Sequence, residues 1–231
     1  MILFDDKYCP QALMQPLTGN SLHAQILQLQ TTSSPELKAI LWQQVIRAKI
    51  NAQAVVLNKS NIDAGMLIKL AGKVLLGDST NVEAQAARSY WPLLFGMNFR
   101  RRPDASEGVN SLLNYGYALI RSAVARALSS AGLHPALGIH HHHRQNAFAL
   151  ADDLIEPLRP SVDLVVVELQ KNSIESLTPD AKMTLLSVLT SQIEVNGQKI
   201  AFLDALTNYV VSYRKCIEQH QSRLVIPVIS V

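Results

Sequence analysis

Cysteine is nearly absent from this chain of 231 residues: Cys9 and Cys216 are the only two. Two cysteines so far apart make neither a disulfide framework nor a zinc knuckle. No apolar run approaches the roughly 20 residues needed to cross a bilayer, which excludes a membrane-spanning helix. The opening MILFDDKYCP has no positive n-region and places acids where a secretory signal tolerates none, so the cytoplasm is the expected compartment. Also lacking are a Gly-rich phosphate loop, a Gly-x-Ser-x-Gly elbow and a Cys-x-x-Cys pair, which removes the common nucleotide-binding, hydrolase and redox motifs. There is no internal repeat and no low-complexity linker. A large excess of one charge sign is lacking as well. A formal net charge of +3 permits a nucleic-acid partner without arguing for one, because such proteins are recognised by local clusters.

What is present is a chain of ordinary composition, 48% hydrophobic and 17% charged, long enough for one large domain or two small ones. MILFDD reads as a short buried strand entering a loop that holds Pro10, Pro16 and Gly19. Ser34-Pro35-Glu36 supplies an N-cap, a first-turn proline and an acid at the positive end of a helix. Behind it Leu37, Ile40, Leu41, Val45 and Ile46 recur at helical spacing to about Val56. A second helix is expected from about Ile62 to Leu76, closed by Gly77, and a third opens at Asp78-Ser79-Thr80. The segment from Val109 to Ala131, rich in small residues, reads as a central buried helix. Asn146 can cap a further helix that Pro157 and Pro160 kink or end. SVDLVVVEL suits a strand by propensity, and a buried helix is equally compatible with so short an apolar run. IEVNGQKIAF is a hairpin, with Asn196-Gly197 at the turn positions that need positive φ. A helix from about Leu203 to Gln219 and an extended tail, confined to a sheet edge by Pro227, complete a mainly α protein with a little β.

Three acid or histidine clusters offer chemistry. Glu83 follows Thr80 by three residues, the spacing of a capping box in which the carboxylate only satisfies a backbone donor. His140 to His143 form an internal run of four, either a solvated loop or a source of metal ligands and acid-base groups. Asp152, Asp153 and Glu156 crowd one helical face, where like charges are destabilising unless a cation or arginine balances them. Asp152 or Asp153 can equally serve to hold the turn in place through backbone or arginine contacts. Together, Glu, His and Glu from separate elements make a mixed nitrogen and oxygen site suited to Mg²⁺ or Mn²⁺ better than to a structural zinc. Arg100, Arg101 and Arg102 form the densest basic cluster, readable as a solvated loop or as a phosphate clamp. Lys69 and Lys73 share one helical face.

The stretches GDSTNVEAQAARSYWPLLFG and GVNSLLNYGYALIRSAVARALSSAGLHPALGIHHHHRQNAFALADDLIEPLRPSVD, with the hairpin and its following helix, resemble the CRISPR-associated integrases of spacer acquisition, the Cas-one family. They cover most of residues 35–220 in order, and the style of GIHHHH-R-x-N-A-F and ADDLIEP resembles the variants of Cas-nine-type systems. The resemblance implies a helical catalytic domain, here 21–231, and a metal site at Glu83, His141 and Glu156, with Asp153 supporting it. It also makes SVDLVVVEL helical and gives Glu83 a role beyond capping. The implied reaction is attack of a DNA 3′-hydroxyl on a phosphodiester at the repeat boundary, with Mg²⁺ or Mn²⁺ as cofactor. The implied partners are DNA, met through Arg100, Arg101, Arg102, Lys69 and Lys73, and the small protein called Cas-two. Members pair two copies through an N-terminal β-rich domain. Residues 1–20 read as a remnant of it, with one strand at about Ile2 to Asp5, so poor pairing of this chain is the expectation. A DNA-binding remnant without catalysis and a metal-dependent hydrolase of small molecules are the rival readings.

Overall fold

The computed structural model describes residues 2–4, 10–13, 22–219 and 221–229. Nine α-helices and two antiparallel hairpins are formed by these residues. The first hairpin pairs β1 (Ile2–Phe4) with β2 (Pro10–Leu13), with Ile2 opposite Leu13 and an irregularity after Leu3. The expected single strand therefore has a partner, drawn from the stretch read as loop. Pro10 begins β2, the strand position where its missing N–H costs least. The strand is not buried as expected either: Leu3 is 46% exposed. Asp5, Pro16 and Gly19 lie outside the described residues.

Helix α1 (His23–Thr32), which periodicity alone did not single out, seats Ile26 in the core. Its Gln30 clasps the backbone of His134, donating to the carbonyl and accepting from the N–H. Helix α2 (Pro35–Lys59) starts as its sequence dictates, with the Ser34 hydroxyl accepting from the Leu37 N–H and Pro35 in the first turn. Leu41, Trp42, Val45, Ile46, Ile50 and Leu57 are buried along it. Helix α3 (Gly65–Gly72) is shorter than expected, and a separate 3₁₀ turn, Leu76–Asp78, comes after it. Gly77 does adopt left-handed φ, +64°, as the expected stop signal requires.

Helices α4 (Val82–Phe95), α6 (Ala149–Ile155), α7 (Arg159–Lys171) and α8 (Pro179–Leu186) pack around α2 and the central α5 (Gly108–Ser130). SVDLVVVEL lies within α7, against its strand propensity, because Val162, Val166 and Leu169 face the core at helical spacing. Between α6 and α7 the turn Glu156–Leu158 holds Pro157, and Pro160 lies in the first turn of α7. Both prolines thus begin helical segments, where no N–H is needed. Strands β3 (Gln192–Val195) and β4 (Gln198–Ala201) form the expected hairpin, with Asn196 at φ 51° and Gly197 at 81°. Helix α9 (Phe202–Gln219) buries Phe202, Ala205, Leu206, Tyr209, Tyr213, Cys216 and Ile217, a helical stripe. The extended tail docks on the β3 edge, where Val228 and Glu194 exchange two backbone hydrogen bonds.

The small residues of α5 do what their size suggests. A Cβ on Gly116 would stand 2.3 Å from Val162 Cγ1, so α7 approaches α5 through this glycine. Gly116→Ala is expected to destabilise the protein by roughly 1–3 kcal/mol through overpacking. Val162→Ala in the same chain should recover part of the loss; urea denaturation of the single and double variants is the check.

Candidate metal centre

The turn before α4 decides what Glu83 is free to do. Asp78 and Asn81 both have positive φ, 50° and 51°. The buried Asp78 carboxylate accepts from the N–H groups of Val82 and Glu83 at 2.8 and 3.0 Å, and Asn81 Oδ1 accepts from Ala84 N at 3.3 Å. Asp78 and Asn81 therefore cap α4, and the Thr80–Glu83 capping box is replaced. The Glu83 carboxylate turns instead to α2, where Lys49 Nζ donates to its Oε1 at 2.5 Å.

Glu156, in the turn after α6, meets the same ammonium: Lys49 Nζ lies 2.5 Å from its Oε2. Arg159 Nη2 pairs with its other oxygen, Oε1, at 3.1 Å. The Oε2 contact is close but outside hydrogen-bond angles, so this buried oxygen lacks an aligned donor. Burial pushes the Glu156 carboxyl up, and Arg159 and Lys49 more than offset it, so it lies below the usual carboxylate range. Burial pushes the Lys49 ammonium down, and Glu156 and Glu83 outweigh it, leaving it above the usual lysine value.

His141 is placed by a carboxylate clasp. Asp153, on α6, is fully buried. Its Oδ2 accepts from the N–H groups of Ile139 and His140 at 2.6 and 2.9 Å, and its Oδ1 accepts from the His141 N–H at 3.3 Å. Oδ1 also stands 2.5 Å from His141 Nδ1. That hydrogen bond is the largest influence holding the imidazole above its ordinary pKa. With Nδ1 so engaged, Nε2 is the ring nitrogen left for a ligand, the arrangement by which a carboxylate fixes a metal-binding histidine. Gly138 makes the close approach possible: a Cβ there would stand 2.4 Å from the His141 carbonyl oxygen and 2.9 Å from Asp153 Oδ2. The side chain of His140 stacks on Trp42, ring centroids 4.3 Å apart. His140, His142 and His143 are exposed.

Asp152 does structural work. Arg121 Nε lies 2.7 Å from its Oδ1, and Asn146 Nδ2 donates to its Oδ2 at 2.7 Å. Asn146 does not cap α6 as expected; its Oδ1 accepts from Phe148 N, and Phe148 is the N-cap residue.

Glu83 and Glu156 thus meet on one cation, while His141 and Glu156 line a common cleft of about 830 Å³ with Arg101, Tyr117, Arg121 and Arg159. As the side chains stand, no group of three His, Cys, Asp or Glu among the described residues is drawn together closely enough to hold an ion. The donor set nevertheless fits a divalent ion. Two carboxylates already flank a positive charge, one buried oxygen lacks an aligned donor, and a clasped imidazole lines a cleft with one of those carboxylates, Glu156.

The arginine run divides. Arg101 donates to Asn110 and Asn114 and lies over the Tyr117 ring at 5.2 Å, so it is built into the cleft wall. Arg100 and Arg102 are exposed, Arg100 donating to the carbonyls of Met97 and Phe99. Lys69 and Lys73 are exposed on α3 and just beyond it. Sequence reasoning missed Lys49, Arg159 and the tyrosine pair behind them. Tyr90 donates to Asp163 Oδ2 at 2.7 Å and Tyr117 donates to Oδ1. The one signal for Lys49 was its place between Ile46 and Ile50 on an otherwise apolar face.

Burial raises the Asp163 carboxyl to about 6, against the donation of both tyrosines. Between the unfolded value of 3.8 and about 6, the folded chain holds a proton that the unfolded chain has released. Stability is therefore expected to fall as pH rises through that window, by on the order of 2–3 kcal/mol, and to level off above it. Urea midpoints of wild type and Asp163→Asn across the window isolate the effect. A stability difference between the two that does not change with pH would refute it.

The fold that carries these residues is shared with several solved structures. One is a casposase bound to integration product, with a TM-score of 0.76 at 19% identity, covering 96% of this chain and 76% of that one. Another is a Cas1 protein from Thermotoga maritima, with a TM-score of 0.69 at 16% identity, covering 95% and 78%. A partial Cas6-RT-Cas1–Cas2 complex gives 0.74 at 17% identity, covering 96% and 79%. At these identities the likeness establishes the fold. Sequence establishes the family: residues 1–188 match the family described as CRISPR associated protein Cas1. The CRISPR-associated endonuclease Cas1 of Neisseria meningitidis serogroup C (strain 8013) is 40% identical over 218 residues, 93% of this chain and 71% of that protein. A Cas1 endonuclease of Francisella tularensis subsp. novicida (strain U112) is 31% identical over 186 residues, 68% and 58%. The chain belongs to the Cas1 family, and it spans 71% and 58% of the length of these two relatives.

Proposed function

We propose that this chain carries the metal-dependent strand-transfer centre of a CRISPR spacer-acquisition integrase. The observation that supports this most directly is the sharing of one cation by Glu83 and Glu156, beside an imidazole clasped by Asp153, in a member of a family of CRISPR-associated endonucleases. The substrates are the 3′ ends of spacer DNA and the repeat, joined by transesterification. Glu83, His141 and Glu156 would hold Mg²⁺ or Mn²⁺. A divalent ion bound there would polarise the scissile phosphate and stabilise the attacking and leaving oxygens.

The chain's own groups do the rest. Asp153 fixes the His141 tautomer, so Nε2 is presented without a search over ring orientations. Arg159, held over the Tyr117 ring at 4.9 Å, and Arg101 on the same ring give the cleft a positive wall for phosphates. A structural neighbour is bound to integration product and another contains Cas2, which supports DNA and a Cas2 protein as partners.

Strand-transfer and disintegration assays on branched DNA, with and without EDTA, test the reading. Joined product in Mg²⁺ or Mn²⁺ that EDTA and Glu83→Gln both abolish is the expected result. Binding without any joining would leave a DNA-binding remnant, and indifference to DNA would leave a small-molecule hydrolase. DNA affinity should also fall steeply with salt, because each neutralised phosphate releases counterions. Arg100→Ala with Arg102→Ala should flatten that slope without lowering stability, whereas Arg101→Ala should lower both.

A further inference from the structure

The centre already contains a cation of its own. Lys49 is largely buried, with 12% of its side chain exposed, on a face of α2 shared with Val45, Ile46 and Ile50. An ammonium is costly in such surroundings unless it is paired. Its two partners, Glu83 and Glu156, come from different elements and are the two carboxylates proposed to hold the metal. The ammonium stands 2.5 Å from an oxygen of each, so it fills the space between them. A divalent ion binding both carboxylates at roughly 2.0–2.2 Å would need that same space.

The two oxygens of Glu156 are held by different cations. Oε1 is paired with Arg159. Oε2 is paired with Lys49, so displacement of Lys49 frees it for another cation.

We infer that Lys49 is a placeholder for the metal: it keeps Glu83 and Glu156 within reach of each other when no ion is bound, competes with the ion for them, and leaves when the ion enters. The inference rests on the metal reading of Glu83, His141 and Glu156. Lys49 acts here as a positioning residue. It neutralises two carboxylates that would otherwise repel across a partly buried gap, and it sets how much free metal is needed to load the site. Removing it acts twice in the same direction, by deleting the competitor and by leaving an unbalanced negative pair that favours a divalent ion.

Mn²⁺ titration of the full chain, followed by electron paramagnetic resonance of the free ion, tests this without any reaction. Wild type, Lys49→Met, Lys49→Gln, Lys49→Arg and Glu83→Gln are compared, together with melting temperatures in EDTA and in Mn²⁺. Lys49→Met and Lys49→Gln are expected to bind Mn²⁺ about tenfold more tightly than wild type, equivalent to ~1.4 kcal/mol. They should melt lower than wild type in EDTA and gain more from Mn²⁺, and Lys49→Arg should restore competition. A lysine with only a structural role predicts equal or weaker binding on its removal, and that result overturns the inference while wild-type binding lost in Glu83→Gln keeps the metal reading. If both neutral variants are unfolded in EDTA, Mn²⁺ must restore their fold, and failure to do so also overturns the inference. If wild type binds no Mn²⁺ that Glu83→Gln removes, the metal reading fails and the placeholder falls with it.

Discussion

His141→Ala is expected to abolish metal-dependent strand transfer and to leave the fold intact, whereas His143→Ala is expected to retain the activity. The four histidines are identical in chemistry and differ in what holds them. His141 is oriented by Asp153 at Nδ1 and lines the cleft with Glu156. His143 is exposed, and the contact described for its ring is with the Gln145 N–H. Loss of a supporting group around a metal costs roughly 10–100-fold, so removal of a ligand should exceed about 100-fold. Because the His141 side chain is about half exposed, 46%, its truncation leaves no buried void. Melting temperature should therefore stay near wild type. Rates on branched DNA and melting curves for both variants provide the check, and equal losses at the two positions would assign the wrong histidine.

Asp153→Ala is expected to fail in the opposite order, losing stability first. The carboxylate accepts from three backbone N–H groups and meets the His141 ring, all from a fully buried position. Alanine strands those donors away from water, at a cost of on the order of 3–5 kcal/mol. Where the variant still folds at low temperature, Mn²⁺ affinity should drop by roughly 10–100-fold, because His141 is no longer oriented. Asp153→Asn keeps the volume but places an NH₂ group against N–H donors, so it should recover only part of the stability. Denaturant midpoints and Mn²⁺ titrations separate the two effects. A variant as stable as wild type would mean that the loop is held by other contacts.

The fold was largely legible because its helices announce themselves locally. Ser34-Pro35-Glu36, the stripe of α9 and Asn196-Gly197 each fix an element by nearest-neighbour chemistry. Segment 161–169 was ambiguous for the converse reason. Its valines suit a strand, and only packing of Val162 and Val166 against α5 and its other neighbours decides for a helix. Helix α1 gave no strong stripe of its own and is anchored by Gln30 on a loop 104 residues away. The site divides in the same way. Glu83, His141, Asp153 and Glu156 stand in recognisable sequence contexts. Lys49 does not, because the two carboxylates that give it meaning are brought to it by tertiary folding. The N-terminal cap of α4 was misassigned because several adjacent polar side chains could serve; Asn81 is the N-cap, and Asp78 reaches the Val82 and Glu83 N–H groups from the turn before it.

The Asp153 clasp also bears on how the histidine run tolerates change in length. The clasp reads backbone positions 139, 140 and 141, counted from Gly138, and is indifferent to the residues beyond position 141. Loss of one histidine from a run of four identical residues yields the same sequence whichever is lost, and the residue in the clasp is still a histidine. A copying slip of one unit is therefore expected to leave a histidine in the clasp, with the change in length falling on the exposed residues 142–145.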